Sequence, residues 1–336
     1  DAFAQTEDVC HYITEQQDKP FCLFLSWGPP HDPYKAPQEY MERFKESEIE
    51  LRNNINDFGI AEKMWEQSDT KIPEKFKTGR ADMIKILDDH SNKDIIEWHR
   101  GYYAAIEALD DCMGKIITTL EMSNQLDNSI IVFTSDHGDN LGSHRQAYKQ
   151  LPFEESISIP LLMRYPKRID QNSETDALLA PQDLMPTILS LANISCHAVD
   201  GTDMLPEILG EIDEIQDAVL INKAIALSMN WITNGNGPWC GVRTKRYTYA
   251  RLTNSNTPWL LYDNLNDPYQ MNNLVNDPAY LKLRDQLNRK TDELLTISKE
   301  PGDPDIYADI IQKERNALNL YDRWGDLKPE KIISSL

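Results

Sequence analysis

The chain has 336 residues, of which 40% are hydrophobic and 26% are charged, a composition typical of globular proteins and not of disordered ones. Acidic residues outnumber basic residues by 55 to 34, which gives a formal net charge of -21. Such a surface repels nucleic acid and anionic membranes and argues against partners of either kind. No apolar run in the sequence approaches the roughly 20 residues that a membrane-spanning helix requires.

The beginning of the sequence predicts a helix followed by a strand. The segment "DAFAQTEDVCHYITEQ" has the pattern of an amphipathic helix. The apolar run "PFCLFLSW", Pro20–Trp27, predicts a short strand that is buried on both faces and ends at Gly28, Pro29 and Pro30. Because Asp1 is not an initiator methionine and no signal sequence follows it, we expect this chain to be the later part of a longer protein.

The middle of the sequence predicts alternating helices and strands. Residues 35–93 are polar and indicate an excursion of loops and short helices over the surface. From Asp94 to Met122, apolar residues recur at helical spacing and predict one long helix. Two buried strands are predicted in "SIIVFTS" and "SIPLLMRYP", and another helix in "APQDLMPTILSLAN". This order predicts an α/β fold with a mostly parallel or mixed sheet flanked by helices.

The character of the sequence changes after about Gly201. The segments "AIALSMNWIT", "WCGVRTKRYTYARL" and "PWLLYDN" are short and aromatic, and Asn, Gly and Pro separate them, so they predict an antiparallel sheet. The segment "PAYLKLRDQLNRKTDELLTI" predicts a terminal helix that packs against this sheet. We therefore divide the chain into an α/β domain at 1–205 and a smaller α+β subdomain at 206–336. Trp231, Trp239 and Trp259 could stack on sugar rings, but core packing is the interpretation that we prefer.

The cysteines give no sign of a metal site or of a dense disulfide framework. They are odd in number, widely scattered and never spaced as C-x-x-C. We predict that these five residues are buried free thiols: Cys10, Cys22, Cys112, Cys196 and Cys240.

Chemically active side chains are concentrated directly after two of the predicted strands. His31 follows the first strand in "GPPHDPY", and Asp136 and His137 follow the second. Four further polar residues lie in the loop after the second strand: Asp139, His144, Arg145 and Lys149. Taken singly, His31 could be a turn histidine, Asp136 a helix cap and Lys149 a solvated lysine. The density of the loop favours a metal or anion site instead, because such groups collect at the carboxyl ends of strands.

Five motifs of the sequence resemble a known family. They are "SWGPPHDPY", "YYAAIEALDDCMGKII", "IIVFTSDHGDNLGSH", "AYKQLPFEESISIPLLMRYP" and "LLYDNLNDPYQMNNL". In this order they resemble the type I sulfatases of the alkaline-phosphatase-like superfamily, from about Pro20 to Leu274. The resemblance implies the alkaline-phosphatase-like fold and the hydrolysis of sulfate esters. A phosphonate or phosphate ester hydrolase of the same superfamily is the alternative enzyme.

The resemblance also implies roles for individual residues. Asp136 and His137 correspond to two ligands of a divalent cation, usually Ca²⁺, although the histidine ligand leaves Mn²⁺ or another metal open. Lys149 corresponds to the lysine that contacts the sulfate oxygens. His31 corresponds to the histidine near the leaving-group oxygen, as a general acid or hydrogen-bond donor. His144 lies in the matching loop and is expected to help shape the substrate pocket.

Two parts of the family's catalytic site do not occur in this sequence. Relatives attack sulfur with a formylglycine made from the Cys or Ser of a C/S-x-P/A-x-R motif, and no cysteine or serine here satisfies it. The family's early Asp-Asp metal pair is also absent. We expect both features upstream of Asp1, so that this chain alone is inactive. The alternative is a non-catalytic sulfatase-like protein that only binds its ligand. Glu154 and Glu155 are expected to anchor the loop.

These observations predict a metal-dependent sulfuric ester hydrolase that acts on a sulfated carbohydrate or an aryl sulfate. The acidic surface disfavours a long polyanion lying across the protein but permits a small sulfated saccharide in a pocket. Family precedent implies export to the periplasm, the lysosome or the cell exterior. The sequence itself indicates neither the compartment nor the oligomeric state.

Overall fold

A computed structural model describes residues 1–15, 19–56, 92–146, 148–149, 151–195, 197, 199–223, 239–253 and 256–298. Within these ranges the helices are α1 (Ala2–Glu15), α2 (Gln38–Met41), α3 (Asn92–Met122), α4 (Glu154–Ile157), α5 (Pro181–Leu191), α6 (Leu205–Ile208) and α7 (Leu281–Ser298). The strands are β1 (Ile131–Thr134), β2 (Leu161–Arg164), β3 (Ala218–Lys223), β4 (Trp239–Thr244), β5 (Tyr247–Leu252) and β6 (Thr257–Asp263).

The first helical layer is formed by α1 and α3. Val9 and Ile13 of α1 pack against Ile116 and Leu120 of α3 in one apolar cluster. The apolar residues of α3 recur every three or four positions, so they form one buried face. The predicted amphipathic helix at the beginning of the chain and the predicted long helix are both confirmed. No helix among the described residues is long and apolar enough to cross a membrane.

The run Pro20–Trp27 differs from its prediction, because it forms no paired strand. Phe21, Leu25 and Trp27 pack against the cluster formed by α1 and α3. Phe24, by contrast, is 95% exposed. Burial on both faces was therefore the wrong prediction for this run in this structure. Only one side of the run is covered, since no described strand pairs with it.

The strands β1 and β2 form a two-stranded antiparallel sheet, with Ile131 opposite Arg164 and Thr134 opposite Leu161. Both predicted strands are confirmed, but their pairing is antiparallel, which agrees with the mixed form of the predicted sheet. The connection from β1 to β2 consists of the loop of Asp136 and the short helix α4. Without a long crossover helix, the chain returns beside β1 in the opposite direction.

A four-stranded antiparallel sheet forms the C-terminal part, in the order β3-β4-β5-β6. One face packs against α7, and the other packs against the segment that contains Leu151 and Phe153. The predicted antiparallel sheet and terminal helix are confirmed, whereas β3 was not predicted. The strand predicted in "AIALSMNWIT" lies outside the described residues.

Other predictions for the C-terminal part have mixed outcomes. Trp239 and Trp259 are 4% and 8% exposed and belong to one core cluster, as predicted, while Trp231 lies outside the described residues. The predicted boundary between residues 205 and 206 falls inside α6, and the division into two domains stays a prediction. The described cysteines are free, and they are Cys10, Cys22, Cys112 and Cys240. Cys22 is exposed rather than buried, because it lies on the open side of the uncovered run, and Cys10 is only half-buried. Cys196 lies outside the described residues.

Candidate active site

His31 lies in the turn after the apolar run, and the structure places it against Lys149. The backbone N–H of His31 donates to the carbonyl oxygen of Gly28 at 3.2 Å, which closes the turn. The Nζ of Lys149 lies 2.8 Å from Nε2 of His31. These two residues are 118 positions apart in the sequence. Folding therefore brings together the side chain that the resemblance assigns to the sulfate oxygens and the one that it assigns to the leaving-group oxygen.

The contacts of the His31 ring determine which of its nitrogens carries a proton. An ammonium group only donates hydrogen bonds, so Nε2 of His31 accepts from Lys149. The other ring nitrogen, Nδ1, lies 2.9 Å from the carbonyl oxygen of Asp32 and 3.0 Å from its Oδ1. Oxygen atoms of this kind only accept, so Nδ1 is the protonated nitrogen.

Asp136 and His137 follow β1 directly, as the sequence indicated. The Asp136 side chain is 84% exposed, and that of His137 is 35% exposed. Nδ1 of His137 donates to the carbonyl oxygen of Gly138 at 2.8 Å, which directs Nε2 towards Oδ2 of Asp136 at 3.5 Å. Two lone pairs that face each other repel unless a proton or a cation lies between them.

This donor pair fits a divalent cation in its chemistry but supplies only part of a coordination shell. A carboxylate oxygen suits Ca²⁺, and an imidazole nitrogen suits Mn²⁺ and related ions. Within the part of the chain that the structure describes, no group of three His, Cys, Asp or Glu side chains could hold a metal. The metal role of Asp136 and His137 stays a prediction.

A partly buried hydrogen bond joins the loop of His31 to the loop of Asp136. The hydroxyl of Tyr34 donates to Oδ2 of Asp139 at 2.9 Å, and the backbone N–H of Leu141 donates to Oδ1 at 3.0 Å. Burial raises the pKa of the Asp139 carboxyl, and burial together with the neighbouring Asp139 raises the pKa of Tyr34. Tyr34 lies three residues after His31, and Asp139 three after Asp136, so this bond holds the two loops side by side.

Two glycines allow the site loops to approach their supports closely. A Cβ atom at Gly101 in α3 would overlap the carbonyl oxygen of Tyr34. A Cβ atom at Gly138 would overlap the carbonyl oxygen of Glu155, and the N–H of Gly138 donates to the carbonyl oxygen of Ser156 at 2.9 Å. The loop of His31 therefore rests on α3, and the loop of Asp136 rests on α4.

His144 has a different environment from the other site residues. Its side chain is fully buried, its φ is 53°, and its ring stacks on Phe153 at a centroid distance of 4.0 Å. The Nδ2 of Asn54 lies 3.1 Å from Nε2 of His144. These contacts stabilise the buried side of the loop. The substrate-binding role of His144 stays a prediction.

Glu154 and Glu155 anchor the same loop, as predicted. Glu154 accepts two hydrogen bonds from the guanidinium of Arg243 on β4, at 2.8 Å and 3.0 Å. Glu155 accepts from Asn54 at 2.8 Å and forms an ion pair with Arg52 at 3.1 Å. The site loop is thereby fastened both to the C-terminal sheet and to the segment before α3.

Sequence reasoning missed three residues of this region: Asp32, Tyr34 and Asn54. The first two lie in the quoted motif "SWGPPHDPY", so the signal was present, but no role was drawn from it. Asn54 lies in a polar segment without a motif. Its contact with His144 spans 90 positions, and no local pattern indicates it.

Comparison with protein families supports the resemblance carried by the motifs. A profile of the sulfatase family matches residues 3–194. A second profile, described as N-sulphoglucosamine sulphohydrolase, C-terminal, matches residues 142–296. Together these matches cover the site loops and the C-terminal sheet.

Individual relatives and solved structures are also similar. An ulvan-active sulfatase from Formosa agariphila is 29% identical over 336 residues, which covers 97% of this chain and 57% of the relative. An N-acetylglucosamine-6-O-sulfatase from Bacteroides thetaiotaomicron is 29% identical over 67% of this chain and 41% of the relative. A crystal structure of a sulfatase-family protein from Bacteroides fragilis has a TM-score of 0.68 and 28% identity, covering 90% of this chain and 59% of that one. The chain spans about half the length of the curated relatives it matches. The predicted alkaline-phosphatase-like fold class is confirmed.

Proposed function

The chain belongs to the sulfatase family, and from this premise we propose that the whole protein is a sulfuric ester hydrolase acting on a sulfated carbohydrate. The observation that carries the proposal is the 2.8 Å contact between Lys149 and His31. This contact places the ammonium group of Lys149 beside the imidazole ring of His31, next to the loop of Asp136. Hydrolysis of a sulfate ester requires both kinds of group.

Lys149 and His31 have complementary roles in this proposal. The sulfate oxygens of the substrate carry negative charge, and the ammonium of Lys149 neutralises part of it. The leaving-group oxygen gains charge as the S–O bond breaks, and Nε2 of His31 stabilises it by donating a proton that this nitrogen first takes up from solvent. Because Lys149 already donates to Nε2, the two groups are in position before the substrate binds.

Asp136 and His137 would hold a divalent cation, with Ca²⁺ as the first candidate and Mn²⁺ as the second. When bound, such a cation neutralises charge on the sulfate oxygens and lowers the pKa of the attacking group. Oδ2 of the exposed Asp136 side chain and Nε2 of His137, which lie 3.5 Å apart, are the atoms that support this assignment. The remaining ligands would come from outside the described residues.

We place the formylglycine nucleophile outside the 336 residues of this chain, since no cysteine or serine here satisfies the family motif. The chain alone is then expected to give no turnover of an aryl sulfate and to bind metal weakly. Appreciable turnover by the pure chain would contradict this assignment of the nucleophile.

The proposed substrate is a small sulfated saccharide. Two relatives support a carbohydrate, since one is named for ulvan and the other for N-acetylglucosamine-6-O-sulfate hydrolysis. The net charge of -21 disfavours a long polyanion lying across the protein. It permits a short sulfated sugar whose charge meets the local cation at Lys149.

The test compares matched esters with the whole protein. We would measure the turnover of 4-nitrophenyl sulfate, 4-nitrophenyl phosphate and a 6-O-sulfated monosaccharide, with and without added Ca²⁺. The proposal expects both sulfate esters to be hydrolysed faster than the phosphate ester. Faster turnover of the phosphate ester would favour the related phosphoester hydrolases, and ligand binding without any turnover would favour a non-catalytic protein.

A further inference from the structure

The contacts of Asp32 separate it from the other acids near the site. Its carbonyl oxygen and its Oδ1 both lie within 3.0 Å of Nδ1 of the preceding residue, His31. Asp139, an acid of the neighbouring loop, accepts from Tyr34 and from the backbone of Leu141. Asp32 is therefore the acid that faces the His31 ring directly.

Only one neutral form of the His31 ring satisfies all its contacts at once. A proton on Nδ1 donates to Asp32, and the lone pair on Nε2 accepts from Lys149 at 2.8 Å. The opposite tautomer would place a lone pair against two oxygen atoms and an N–H group against an ammonium. The three contacts together therefore select the tautomer with the proton on Nδ1.

The charges around the ring explain why a carboxylate is needed at this position. To donate to a leaving-group oxygen, Nε2 of His31 must carry a proton, which makes the ring a cation beside the ammonium of Lys149. Among the described residues, Asp32 contacts the ring, and Asp139 interacts electrostatically with Lys149. The pKa of Tyr148 is also raised, mainly by burial and to a smaller extent by the negative charges of Asp32 and Asp139. Of these groups, Asp32 is the one in contact with the ring.

We propose that Asp32 is a positioning residue that fixes the tautomer of His31 and offsets the positive charge that the ring gains when Nε2 takes up a proton from solvent, before that proton passes to the leaving-group oxygen. This inference rests on the proposed hydrolysis, but the tautomer does not. The side chain of Asp32 is 35% exposed, so its interaction with the ring is partly screened by water. The expected effect on rate is therefore moderate.

The first arm of the test measures the tautomer without any turnover. The chain is labelled with ¹⁵N-histidine, and the His31 signals are assigned by their loss in His31→Gln. Long-range ¹H–¹⁵N spectra at neutral pH should give a protonated Nδ1 and an unprotonated Nε2. A ring with the proton on Nε2 in the unsubstituted chain would overturn the proposal. If the whole protein hydrolyses no sulfate ester, this arm can still be interpreted.

The second arm measures the rate dependence on the leaving group in the whole protein. Asp32→Ala should slow phenyl sulfate more than 4-nitrophenyl sulfate, by a ratio on the order of tenfold, because the poorer leaving group depends more on the proton. Asp32→Asn retains an acceptor at the same position and should recover part of that ratio. Asp170→Ala, a substitution of an exposed acid, is the control and should change neither rate. An equal loss with both esters would indicate a merely structural role and would overturn the proposal.

Discussion

The C-terminal sheet and the site loops are stabilised by different kinds of contact. Tyr249 and Tyr262 of the sheet are fully buried, and α7 and the segment around Phe153 cover its two faces. The loops of His31 and Asp136 instead depend on a few polar contacts between distant residues, such as the bond from Tyr34 to Asp139. Substitutions in the sheet should therefore lower the stability, and substitutions in the loops should mainly lower the activity.

The largest loss of stability is expected from a substitution in the sheet. Leu261→Ala removes a fully buried side chain from the cluster between the sheet and α7. The free energy of unfolding should fall by about 2–5 kcal/mol, because a cavity remains. Chemical denaturation measures this change. The matched control is Leu265→Ala, since Leu265 is 72% exposed and its loss should have little effect. Equal effects of the two substitutions would contradict the comparison.

Gly101→Ala tests the close approach between α3 and the His31 loop. The added Cβ would overlap the carbonyl oxygen of Tyr34, so the loop has to move. We expect a loss of about 1–3 kcal/mol in stability, with a larger relative loss of sulfatase activity. Gly114→Ala lies in the same helix with nothing within 4 Å of the new Cβ. This control should stabilise the helix by roughly 0.5–1 kcal/mol. A stabilising effect of Gly101→Ala would show that the approach is looser than described.

Tyr34→Phe removes only the hydroxyl that joins the two site loops. The half-buried carboxyl of Asp139 loses one donor, so stability should fall by about 1–3 kcal/mol. Turnover should fall as well, because His31 and Asp136 are no longer held in register. Thermal unfolding and steady-state kinetics of the whole protein measure the two effects. Tyr103→Phe, at a partly exposed tyrosine of α3, is the control. Unchanged turnover in Tyr34→Phe would remove this bond from the account of the site.

The smallest effect concerns an ion pair of the sheet and depends on pH. Two hydrogen bonds from Arg246 and two from Asn266 lower the pKa of Asp263 to about 2. Since the unfolded value is about 3.9, ionised Asp263 stabilises the folded state above that pH. The contribution is lost as the pH falls through 2. Asp263→Asn should therefore lower the unfolding midpoint at pH 6 but not at pH 2. The control, Asp170→Asn, should leave the midpoint unchanged at both pH values. A difference that is independent of pH would contradict this sign.

Local patterns were sufficient to predict much of the fold. The 3.6-residue spacing of apolar residues in α3 predicted nearly its full length, and the aromatic segments of β4, β5 and β6 predicted an antiparallel sheet. The burial of the run Pro20–Trp27 on both faces was mispredicted. Its apolar composition indicates that it can be buried, but not whether another part of the chain covers each of its faces. Phe24 is apolar and nevertheless 95% exposed.

Sequence motifs indicated candidate residues for the site but not the contacts between them. His31, Asp136 and Lys149 follow from motifs at strand ends, since the chemistry of each motif is local. The bond from Tyr34 to Asp139 spans 105 positions, and the contact of Lys149 with His31 spans 118. Such pairs depend on how the loops pack, which no single-sequence pattern encodes. Asp32 gained its proposed role only when its distance to the ring of His31 was known.

The most direct test of the account is the turnover of 4-nitrophenyl sulfate by the whole protein with Lys149→Ala. The control is Lys115→Ala, because Lys115 pairs with Glu7 on the surface at 2.7 Å, away from the site loops. If Lys149 stabilises the charge of the sulfate group, its substitution should lower kcat by roughly 10²–10³-fold, with unchanged thermal unfolding. The same kcat in both variants would contradict the assignment of Lys149 and His31 as the sulfate-binding pair.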